Sequence, residues 1–422
     1  KRDWSSDVCS SDLCAVILMR DRDAHAANLT VLARILASGV NSDGRTTGLM
    51  SPSGKAQAEL IERVNGQTGC GIGALDLVVA HGTGTALGDP IEVNALIDAT
   101  SGAPRRRRWL VSTKPNVGHC LAASGLVSLI ALLGALWQEE IPPSIHYAEP
   151  NPHVRWSDGD WAVNRERRAW PDLGRPRVGA ISSFGVSGTN AHVVLAGVET
   201  ARGLEDRVRA HPGRDQAVLL VSAKTEEGLD RRLADLADWI DRRSQTGPGP
   251  LASIARTLAV GRIHHPFRCA LVTGPDAVAV LRAAEAREQR PDVVRGRVLK
   301  GAGTSAAMLR VVDGLLAELS SADGGSVRDA LLALGDCYVR GVPIPYEKLV
   351  DAGAPLVALP HYPFAADRYW PALNAHVPAP DSDTSAVPHD PVAVPPAQER
   401  HLTIDDGLFG VLTGQSGPPG RH

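Results

Sequence analysis

The segment LAASGLVSLIALLGALWQEE, residues 121–140, constrains the fold of this chain more than any other feature. It is rich in Ala and Leu and apolar all round, which predicts a helix that is buried on every side. Short apolar runs of strand length lie before and after it, and several of them end in glycine-rich turns. Residues 14–197 are therefore predicted to form one dense α/β domain.

Four segments of this domain are predicted to contain strands. CAVILM at residues 14–19 is a short apolar run, LDLVVAHGTGT at 75–85 ends in a glycine turn, and WLVSTKPNVGH at 109–119 is a strand followed by a loop. VGAISSFGVSGTNAHVVLAG at 178–197 has the pattern of strand, hairpin and strand, with Gly185 and Gly188 in the turn.

The rest of the chain divides into four predicted segments. Residues 198–215 are charged and loop-like, and residues 216–300 have the pattern of a small α/β domain with strands at AVLLVSA and HPFRCALVTG. Residues 301–373 are predicted to be helical up to about 340 and then to form an extended strap rich in proline and aromatic residues. Residues 374–422 shift to Pro, Asp, Ser and Thr, which indicates a disordered linker.

Charge and cysteine usage exclude several classes of function. The net charge of −3 does not favour general binding to nucleic acid or anionic membranes. The one dense basic patch, Arg105–Arg108, is more often a solvated loop than a docking site for an acidic partner. The six cysteines form no CxxC pair, no apolar run is long enough to span a bilayer, and the first residues are too polar for a signal peptide. We therefore expect a protein of the reducing cytoplasm.

The motif AHGTGTALGDPIE, residues 80–92, places His81 at the end of a buried strand, beside glycines that let a ligand approach the backbone closely. Its tail has the pattern of a helix start, with Asp89 at the N-cap, Pro90 at N1 and Glu92 closing a capping box. A lone histidine at a strand end is more often a satisfied core residue, so His81 decides nothing by itself.

The motif STKPNVGH, residues 112–119, leads into the predicted buried helix. His119 is expected near the N-terminus of that helix, where the positive end of the dipole keeps the imidazole neutral near pH 7. A neutral ring can donate a hydrogen bond to a carbonyl that gains negative charge. Lys114 could orient a nearby group or supply positive potential, or it could be an ordinary surface lysine.

The motif SSFGVSGTNAH, residues 182–192, combines closely spaced glycines with small hydroxyls, a pattern that exposes backbone N–H groups for an oxyanion hole. Many hairpins carry glycine, so the pattern is weak in isolation. His192 could join His81 and His119 in a metal site, but none of the three shares a helix-spaced pair, which disfavours a metal.

Taken in order, HGTGT…GDPIE, K-x-N-x-GH and SSFG-x-SGTNAHV resemble the ketosynthase (beta-ketoacyl synthase) domain of modular type I polyketide synthases. The flanking segments GVNSDGRTTGLMSPSGKAQ and EIPPSIHYAEPNPHV resemble the same family. The resemblance covers residues 14–197. It implies the C-terminal half of a thiolase-like α/β domain with layered αβαβα architecture.

The resemblance also implies roles for individual residues. His81 and His119 match two histidines that hold the thioester carbonyl of a malonyl extender and stabilise the enolate formed as carbon dioxide leaves. Lys114 matches the lysine that organises this pair through Glu92. Further matches support the site, line the phosphopantetheine channel or complete an oxyanion hole, namely Asp89, Thr83, Thr85, Asn116, Phe184 and Val186. Val186 departs from the family pattern, which more often has Phe there, and Cys120 beside His119 is expected to be a small buried hydrophobe.

The string DVCSSD offers Cys9 as a nucleophile, because the family's cysteine lies in a D-T-A-C-S-S motif. Only six residues separate Cys9 from Val16, however, where the family has a long stretch of chain. A nucleophilic thiol also needs a helix N-terminus or a base to lower its pKa. Residues 1–13 resemble translated sequencing-adapter sequence and are set aside, so the chain is expected to be an incomplete domain that cannot condense by itself.

Residues 216–300 resemble the linker domain that follows ketosynthases, and no GxSxG elbow of an acyltransferase occurs after residue 200. The segment up to residue 373 resembles the post-ketosynthase strap, whose aromatic packing anchors would be Tyr362, Phe364, Tyr369 and Trp370. This order suggests a module served by a trans-acting acyltransferase.

The function expected from the resemblance is polyketide chain elongation by decarboxylative Claisen condensation, an acyltransferase reaction in a cytoplasmic megasynthase. The expected partners are an acyl carrier protein, which carries the phosphopantetheine, and a second copy of the ketosynthase; no cofactor, metal, nucleic acid or membrane is expected. The alternative is a non-elongating module that acts as an acyl-transfer or dimer scaffold, although retention of both His81 and His119 argues against it. A free-standing thiolase or fatty-acid elongation enzyme is disfavoured by the linker and strap.

Overall fold

The computed structural model describes residues 14–27, 29–48, 51–211, 213–244, 251–299, 305–321 and 324–365. Residues 1–13 and 366–422 lie outside the described residues, and with them Cys9, Tyr369, Trp370 and the linker predicted after residue 374.

A six-stranded mixed sheet forms the centre of the first part of the chain. With strands numbered in chain order, the sheet order is β1 (Ala33–Ser42), β8 (Thr189–Gly197), β7 (Val178–Phe184), β2 (Leu77–Val79), β3 (Arg108–Val111) and β5 (Trp161–Val163). β7, β2, β3 and β5 run parallel, and β8 is antiparallel to both β7 and β1. Two short strands, β4 (Glu140–Ile141) and β6 (Arg168–Ala169), pair separately. The hairpin predicted for residues 178–197 is confirmed as β7 and β8.

Helices cover both faces of this sheet. They are α1 (Asp21–Ala26), α2 (Gly54–Gly66), α3 (Gly88–Ala99), α4 (Lys114–Val117) and α5 (Ser124–Gln138). On one face, α2 and α3 bury Leu60, Val64 and Leu96 against the strands. On the other face, α5 buries Leu132 and Leu136. The described residues thus form three layers, α-β-α, of the five that the sequence predicts.

The helix predicted to be buried on every side is buried on one side. Leu129, Leu132 and Leu136 of α5 face the sheet, whereas Leu126 and Val127 are only half-buried. The expectation that no apolar run is long enough to span a bilayer is wrong by length and composition. Among the described residues, Leu121–Gln138 is the one helix long and apolar enough to cross a membrane, and half of it is buried inside the protein. An apolar composition allows a helix to be buried on every side. Only one layer of the described residues contacts α5, so only one side of the helix is buried.

The strand predicted at CAVILM is also wrong. Residues 14–20 have no regular structure, and Ile17 and Leu18 are 93% and 70% exposed. The first strand is instead β1, which begins at Ala33 and pairs with β8 along its length. An apolar run becomes a strand only where another strand completes its hydrogen bonds, and no described strand lies beside residues 14–19.

A second, three-stranded antiparallel sheet follows in the order β11 (Val293–Arg297), β10 (Phe267–Thr273), β9 (Ala217–Ala223). Its helices are α7 (Glu226–Ser244), α8 (Leu251–Val260), α9 (Ala277–Glu285), α10 (Ala306–Ser321), α11 (Gly324–Val339) and α12 (Tyr346–Leu349). α7 and α9 cover one face, and α10 and α11 cover the other. The helices of segment 301–373 therefore pack on the same sheet as segment 216–300. The strands and helices predicted over 216–340 are confirmed.

The connector predicted as a loop at 198–215 contains a helix, α6 (Ala201–Arg209). Its high charge suggested a loop, but the Thr200 side chain accepts a hydrogen bond from the backbone N–H of Gly203 and caps the helix. The N-cap hydrogen bond thus allows this highly charged segment to form a helix.

The strap after α12 has no regular structure up to residue 365. Tyr362 anchors it, because its hydroxyl accepts the backbone N–H of Lys224 at 2.9 Å and its ring packs edge-on to His265 at 5.4 Å between centroids. Phe364 contacts the Tyr362 ring but remains 77% exposed, so it is not the buried anchor that the sequence predicts.

Candidate active site

His81 follows β2 on a loop that is fixed by a buried carboxylate. The two oxygens of Glu92 accept the backbone N–H groups of His81 and Gly82 at 2.8 and 2.9 Å, and Glu92 is 3% exposed. Gly82 has φ +41°, and a Cβ there would lie 3.0 Å from Cβ of Ser112. The loop therefore requires glycine at residue 82, and it holds the His81 ring in one place.

The capping box predicted for Asp89 and Glu92 is wrong. Helix α3 begins at Gly88, whose N–H is accepted by the Thr85 hydroxyl at 3.0 Å. Asp89 accepts the N–H of Gly84 at 3.1 Å, so both carboxylates bind the preceding loop and not their own helix. A glycine-rich loop leaves its N–H groups unpaired, and these compete successfully with the helix terminus for acceptors.

Lys114 begins α4, and its ammonium group donates a hydrogen bond to the carbonyl oxygen of His81. The sequence predicts that Lys114 acts through Glu92; the structure shows the direct bond going to the His81 backbone. Burial lowers the pKa of Lys114, while the charges of Glu92 and Asp89 raise it in part. Glu92 therefore accepts the N–H groups of this loop, and Lys114 donates to one of its carbonyl oxygens, so the two side chains hold the same loop.

His119 lies between α4 and α5. Its Nδ1 accepts the backbone N–H of Leu121 at 3.1 Å and pairs with the hydroxyl of Ser124, the first residue of α5, at 2.9 Å. The ring is therefore near the N-terminus of the apolar helix, as predicted. Because Nδ1 is an acceptor, the neutral ring carries its proton on Nε2.

The rings of His81 and His119 are neighbours. Their centroids are 5.6 Å apart and their planes are nearly perpendicular, at 82°. The backbone N–H of Phe184 points at Nδ1 of His81 at 3.4 Å, which also favours the Nε2–H tautomer there. Both rings of this neighbouring pair therefore carry their proton on Nε2.

The local electrostatics keep both rings neutral at physiological pH. Burial, together with the smaller effects of the Lys114 and His119 charges, lowers the pKa of His81 to about 4. Burial and the charge of Lys114 also lower the pKa of His119. Burial raises the pKa of Glu92 to about 7, against the two N–H groups that favour its anion. Neutral imidazoles beside a fixed cation suit stabilisation of an oxygen that becomes negative.

The β7–β8 hairpin closes the site next to His81. The ring of Phe184 is half-buried, 5.6 Å from the His81 ring. Val186, in the turn, is 74% exposed, and Gly188 has φ +84°. The hairpin is thus placed beside the histidine pair, and an oxyanion role for the N–H near Val186 stays a prediction.

The predicted channel residues lie on the two loops that carry the histidines. Thr83 is half-buried, Thr85 and Asn116 are exposed, and the hydroxyls of the two threonines are 3.4 Å apart. Their positions are compatible with a pantetheine arm approaching from solvent, and their roles stay predictions.

Three residues that fix the site from behind are not predicted from the sequence. Ser124 binds His119, and Ser112 donates to the carbonyl of Gly82 at 2.9 Å. Asp43 holds the hairpin, because its backbone N–H donates to the carbonyl of Gly188 at 2.8 Å and its carboxylate accepts from Asn190 at 2.7 Å. The available signal was a small hydroxyl inside or beside each motif, as in STKPNVGH and LAAS.

His192 does not join the other two histidines. It is fully buried, and its two ring nitrogens bind the Ser182 hydroxyl at 3.0 Å and the Asn65 amide at 3.3 Å. Cys120 is 3% exposed, as a small buried hydrophobe would be.

Comparison with known proteins connects this geometry to one family. Residues 32–148 match the model of the beta-ketoacyl synthase C-terminal domain, and residues 150–272 match that of the ketoacyl-synthetase C-terminal extension. Polyketide synthase ThaG of Burkholderia thailandensis is 42% identical over 87% of this chain, and erythronolide synthase EryA2 of Saccharopolyspora erythraea is 40% identical over 68%. The chain spans only 6% and 8% of the length of these two relatives.

The solved structures that resemble this chain are also ketosynthases of polyketide synthases. The ketosynthase from module 6 of the bacillaene synthase of Bacillus subtilis superposes with a TM-score of 0.71 at 27% identity, over 83% of this chain and 60% of that one. The module 1 ketosynthase of the bacillaene synthase of Bacillus amyloliquefaciens gives 0.67 at 30% identity, over 83% and 59%.

The layered fold and the paired histidines define a thiolase-fold ketosynthase, and the chain belongs to the beta-ketoacyl synthase family. It is the C-terminal half of a ketosynthase domain of the modular polyketide synthase type, followed by its post-ketosynthase linker.

Proposed function

We propose that this chain carries the decarboxylation half of the site that elongates polyketides by decarboxylative Claisen condensation. The observation that supports the proposal is the pair of imidazole rings 5.6 Å apart, each with Nδ1 occupied as an acceptor. Both Nε2–H groups of His81 and His119 are then available to one thioester oxygen.

The chemistry follows from this arrangement. As the malonyl carboxylate leaves as carbon dioxide, the electrons of the broken C–C bond pass into the thioester, whose oxygen becomes negative. The two Nε2–H groups donate to that oxygen, and the ammonium of Lys114 adds positive potential through its place beside His81. The enolate carbon then attacks the carbonyl carbon of an acyl group held as a thioester on the family's nucleophilic cysteine. The new C–C bond forms as the C–S bond breaks, and the cysteine leaves as a thiolate.

The same proposal names the partners. An acyl carrier protein would deliver the malonyl group on its phosphopantetheine past Thr83, Thr85 and Asn116. A second copy of the ketosynthase and a trans-acting acyltransferase would complete the module, in the cytoplasm.

The test is decarboxylation of malonyl-pantetheine to acetyl-pantetheine, followed by mass spectrometry, because this half-reaction needs no cysteine. We expect the chain to exceed the uncatalysed rate, and His81→Ala and His119→Ala each to lower the enzymatic rate by about 10²–10³-fold. The matched control is His153→Ala, at an exposed histidine outside the site. Equal rates for the chain and for His81→Ala would contradict the proposal.

The alternative function, an acyl-transfer or dimer scaffold, is tested in the same assay with a longer protein. A chimera that joins the N-terminal part of the solved bacillaene module 6 ketosynthase to residue 14 supplies the part of that ketosynthase which this chain does not match. If this chimera binds malonyl-carrier protein but releases no carbon dioxide, the scaffold alternative gains support.

A further inference from the structure

The basic run Arg105–Arg108 takes no part in the site described above. It enters β3 at one end, whereas Lys114 follows the other end of the same strand. An open cleft of about 690 Å³ lies beside the run, along β5, and its lining includes Arg105, Arg107 and Arg165. The cleft is therefore a feature separate from the histidine pair.

Positive charge in and under this cleft exceeds the negative charge. Asp160 is shared by Arg105 at 3.7 Å and the buried Arg108 at 3.6 Å. Arg107 and Arg165 are exposed, and neither is paired with a carboxylate among the residues that the structure describes. Arg165 instead donates to a backbone carbonyl and lies over the Tyr147 ring, 5.7 Å from its centroid.

Asp76, the second carboxylate near the cleft, does not offset this excess of positive charge. Asp76 lies close to the cleft residue Arg106, but it also binds Arg175 at 2.7 Å and is 4% exposed. Its charge is thus already shared between two guanidinium groups inside the protein.

The floor of the cleft is the edge strand β5, in which Trp161 is 2% exposed and Val163 is half-buried. β5 is the last strand of its sheet, and its neighbour β3 donates from Arg108 N–H to the Asp160 carbonyl and accepts from Asn164 N–H. Backbone groups alternate along a strand, so those of Trp161 and Val163 turn to the outer edge. No described strand pairs with that edge.

We propose that this cleft, which we call the β5 cleft, binds an acidic segment of a partner polypeptide in extended conformation. The segment pairs with the outer edge of β5 at the half-buried Val163, and its carboxylates meet the exposed Arg107 at one end and the exposed Arg165 at the other. Charge complementarity selects this occupant, because unmatched guanidinium groups flank an unpaired strand edge and favour carboxylates. The proposal is independent of the decarboxylation chemistry.

The geometry also sets the spacing of the acidic residues. An extended chain rises by roughly 3.3 Å per residue, so Asp160 and Arg165, which flank β5, are at most roughly 16 Å apart. Acidic side chains four to six residues apart would therefore reach both ends of the β5 cleft at once. The test peptide is fluorescein-labelled Gly-Glu-Glu-Thr-Val-Thr-Glu-Glu-Gly, and the readout is fluorescence anisotropy against the full chain.

Two control peptides separate charge from strand pairing. One replaces every Glu by Gln, and the other keeps every Glu but carries N-methyl groups on alternate residues, which block main-chain hydrogen bonds. We expect both to bind at least about fivefold more weakly than the parent peptide. We expect binding of the parent to weaken as salt rises, because exposed charges are screened.

The protein variant is the double substitution Arg107→Ala and Arg165→Ala, expected to weaken binding about tenfold. The matched control is Arg45→Ala with Arg310→Ala, which also removes two exposed arginines but leaves the β5 cleft intact. Circular dichroism checks that both variants fold.

Each remaining outcome decides against the proposal. Failure of the parent peptide to bind, or equal binding by the two double variants, overturns it. Undiminished binding of the N-methylated peptide reduces the β5 cleft to a charged surface without strand addition. Displacement of the peptide by inorganic phosphate at constant ionic strength assigns the cleft to a phosphate-bearing ligand instead.

Discussion

Replacement of Lys114 by Met is expected to separate activity from stability. The substitution keeps most of the length of the side chain and removes the ammonium group, and with it the hydrogen bond to the His81 carbonyl. It also removes the cation whose charge lowers the pKa values of His81 and His119. The enolate loses positive potential, while the apolar stem of residue 114 keeps its packing.

The expected effect on stability is small. A hydrogen bond to a charged group contributes about 1.5–3 kcal/mol, and desolvation of the half-buried ammonium costs a similar amount. The lowered pKa of Lys114 shows that desolvation exceeds the attraction of Glu92 and Asp89. We therefore expect Lys114→Met to change the free energy of unfolding by less than about 1 kcal/mol at pH 7.

The sign of the pH dependence follows from the same shift. The folded state binds the Lys114 proton less tightly than the unfolded state, so the wild type gains stability as pH rises from the folded pKa towards 10.5. The Met variant has no such gain. The difference between the two proteins should therefore move in favour of the wild type at alkaline pH.

The expected effect on activity is large. Removing one donor from an oxyanion hole costs about 10²–10³-fold, and Lys114 acts one contact away from the oxygen, so we expect about a 10- to 100-fold loss in malonyl-pantetheine decarboxylation. Urea unfolding measures stability on the same samples. The control is Lys55→Met, at an exposed lysine 3.8 Å from Glu59. A variant that loses stability but keeps its rate would refute this reasoning.

Three further outcomes are expected. Ser124→Ala removes one of two donors to Nδ1 of His119, so decarboxylation should fall about fivefold while ¹⁵N NMR still shows the Nε2–H tautomer; an unchanged rate would count against it. Burial holds the pKa of His192 at about 4, so the wild type should lose up to about 3 kcal/mol more stability than His192→Gln as pH falls from 6.5 to 4 in urea titrations; parallel profiles would be the contrary result. A Cβ at Gly179 would lie 2.4 Å from Cδ1 of Leu132, so Gly179→Ala should cost about 1–3 kcal/mol, and adding Leu132→Ala should cost less than the sum of the two single changes; strict additivity would rule out this clash.

The histidine pair could be predicted from the sequence because two independent signals agree. Each motif follows a predicted strand, and the parallel neighbours β2 and β3 bring the ends of these strands together. The order of the motifs along the chain indicated the family resemblance, and that resemblance implied the roles of the two histidines. The hairpin was predictable for a local reason, since Gly188 provides the positive φ that its turn requires.

The partners of the polar groups could not be predicted in the same way. A pattern such as D-P-I-E is compatible with a capping box. Only the fold shows that the Glu92 carboxylate accepts the N–H groups of His81 and Gly82 instead of an N–H group of its own helix. CAVILM has strand composition, but no strand in the described part of the chain lies beside it, and α5 is apolar on a face that no described layer covers. Composition thus reports what a segment could do, and tertiary pairing decides what it does.

The pairing of β1 with β8 has a practical consequence for the construction of hybrid synthases. The earliest and the latest strands of the six-stranded sheet are hydrogen-bonded from Ala33–Gly197 to Ser42–Thr189. A recombination junction placed anywhere between these strands would pair β1 of one parent protein with β8 of another. Exchange of whole units, cut before residue 33 and after residue 197, keeps every native strand with its own neighbour.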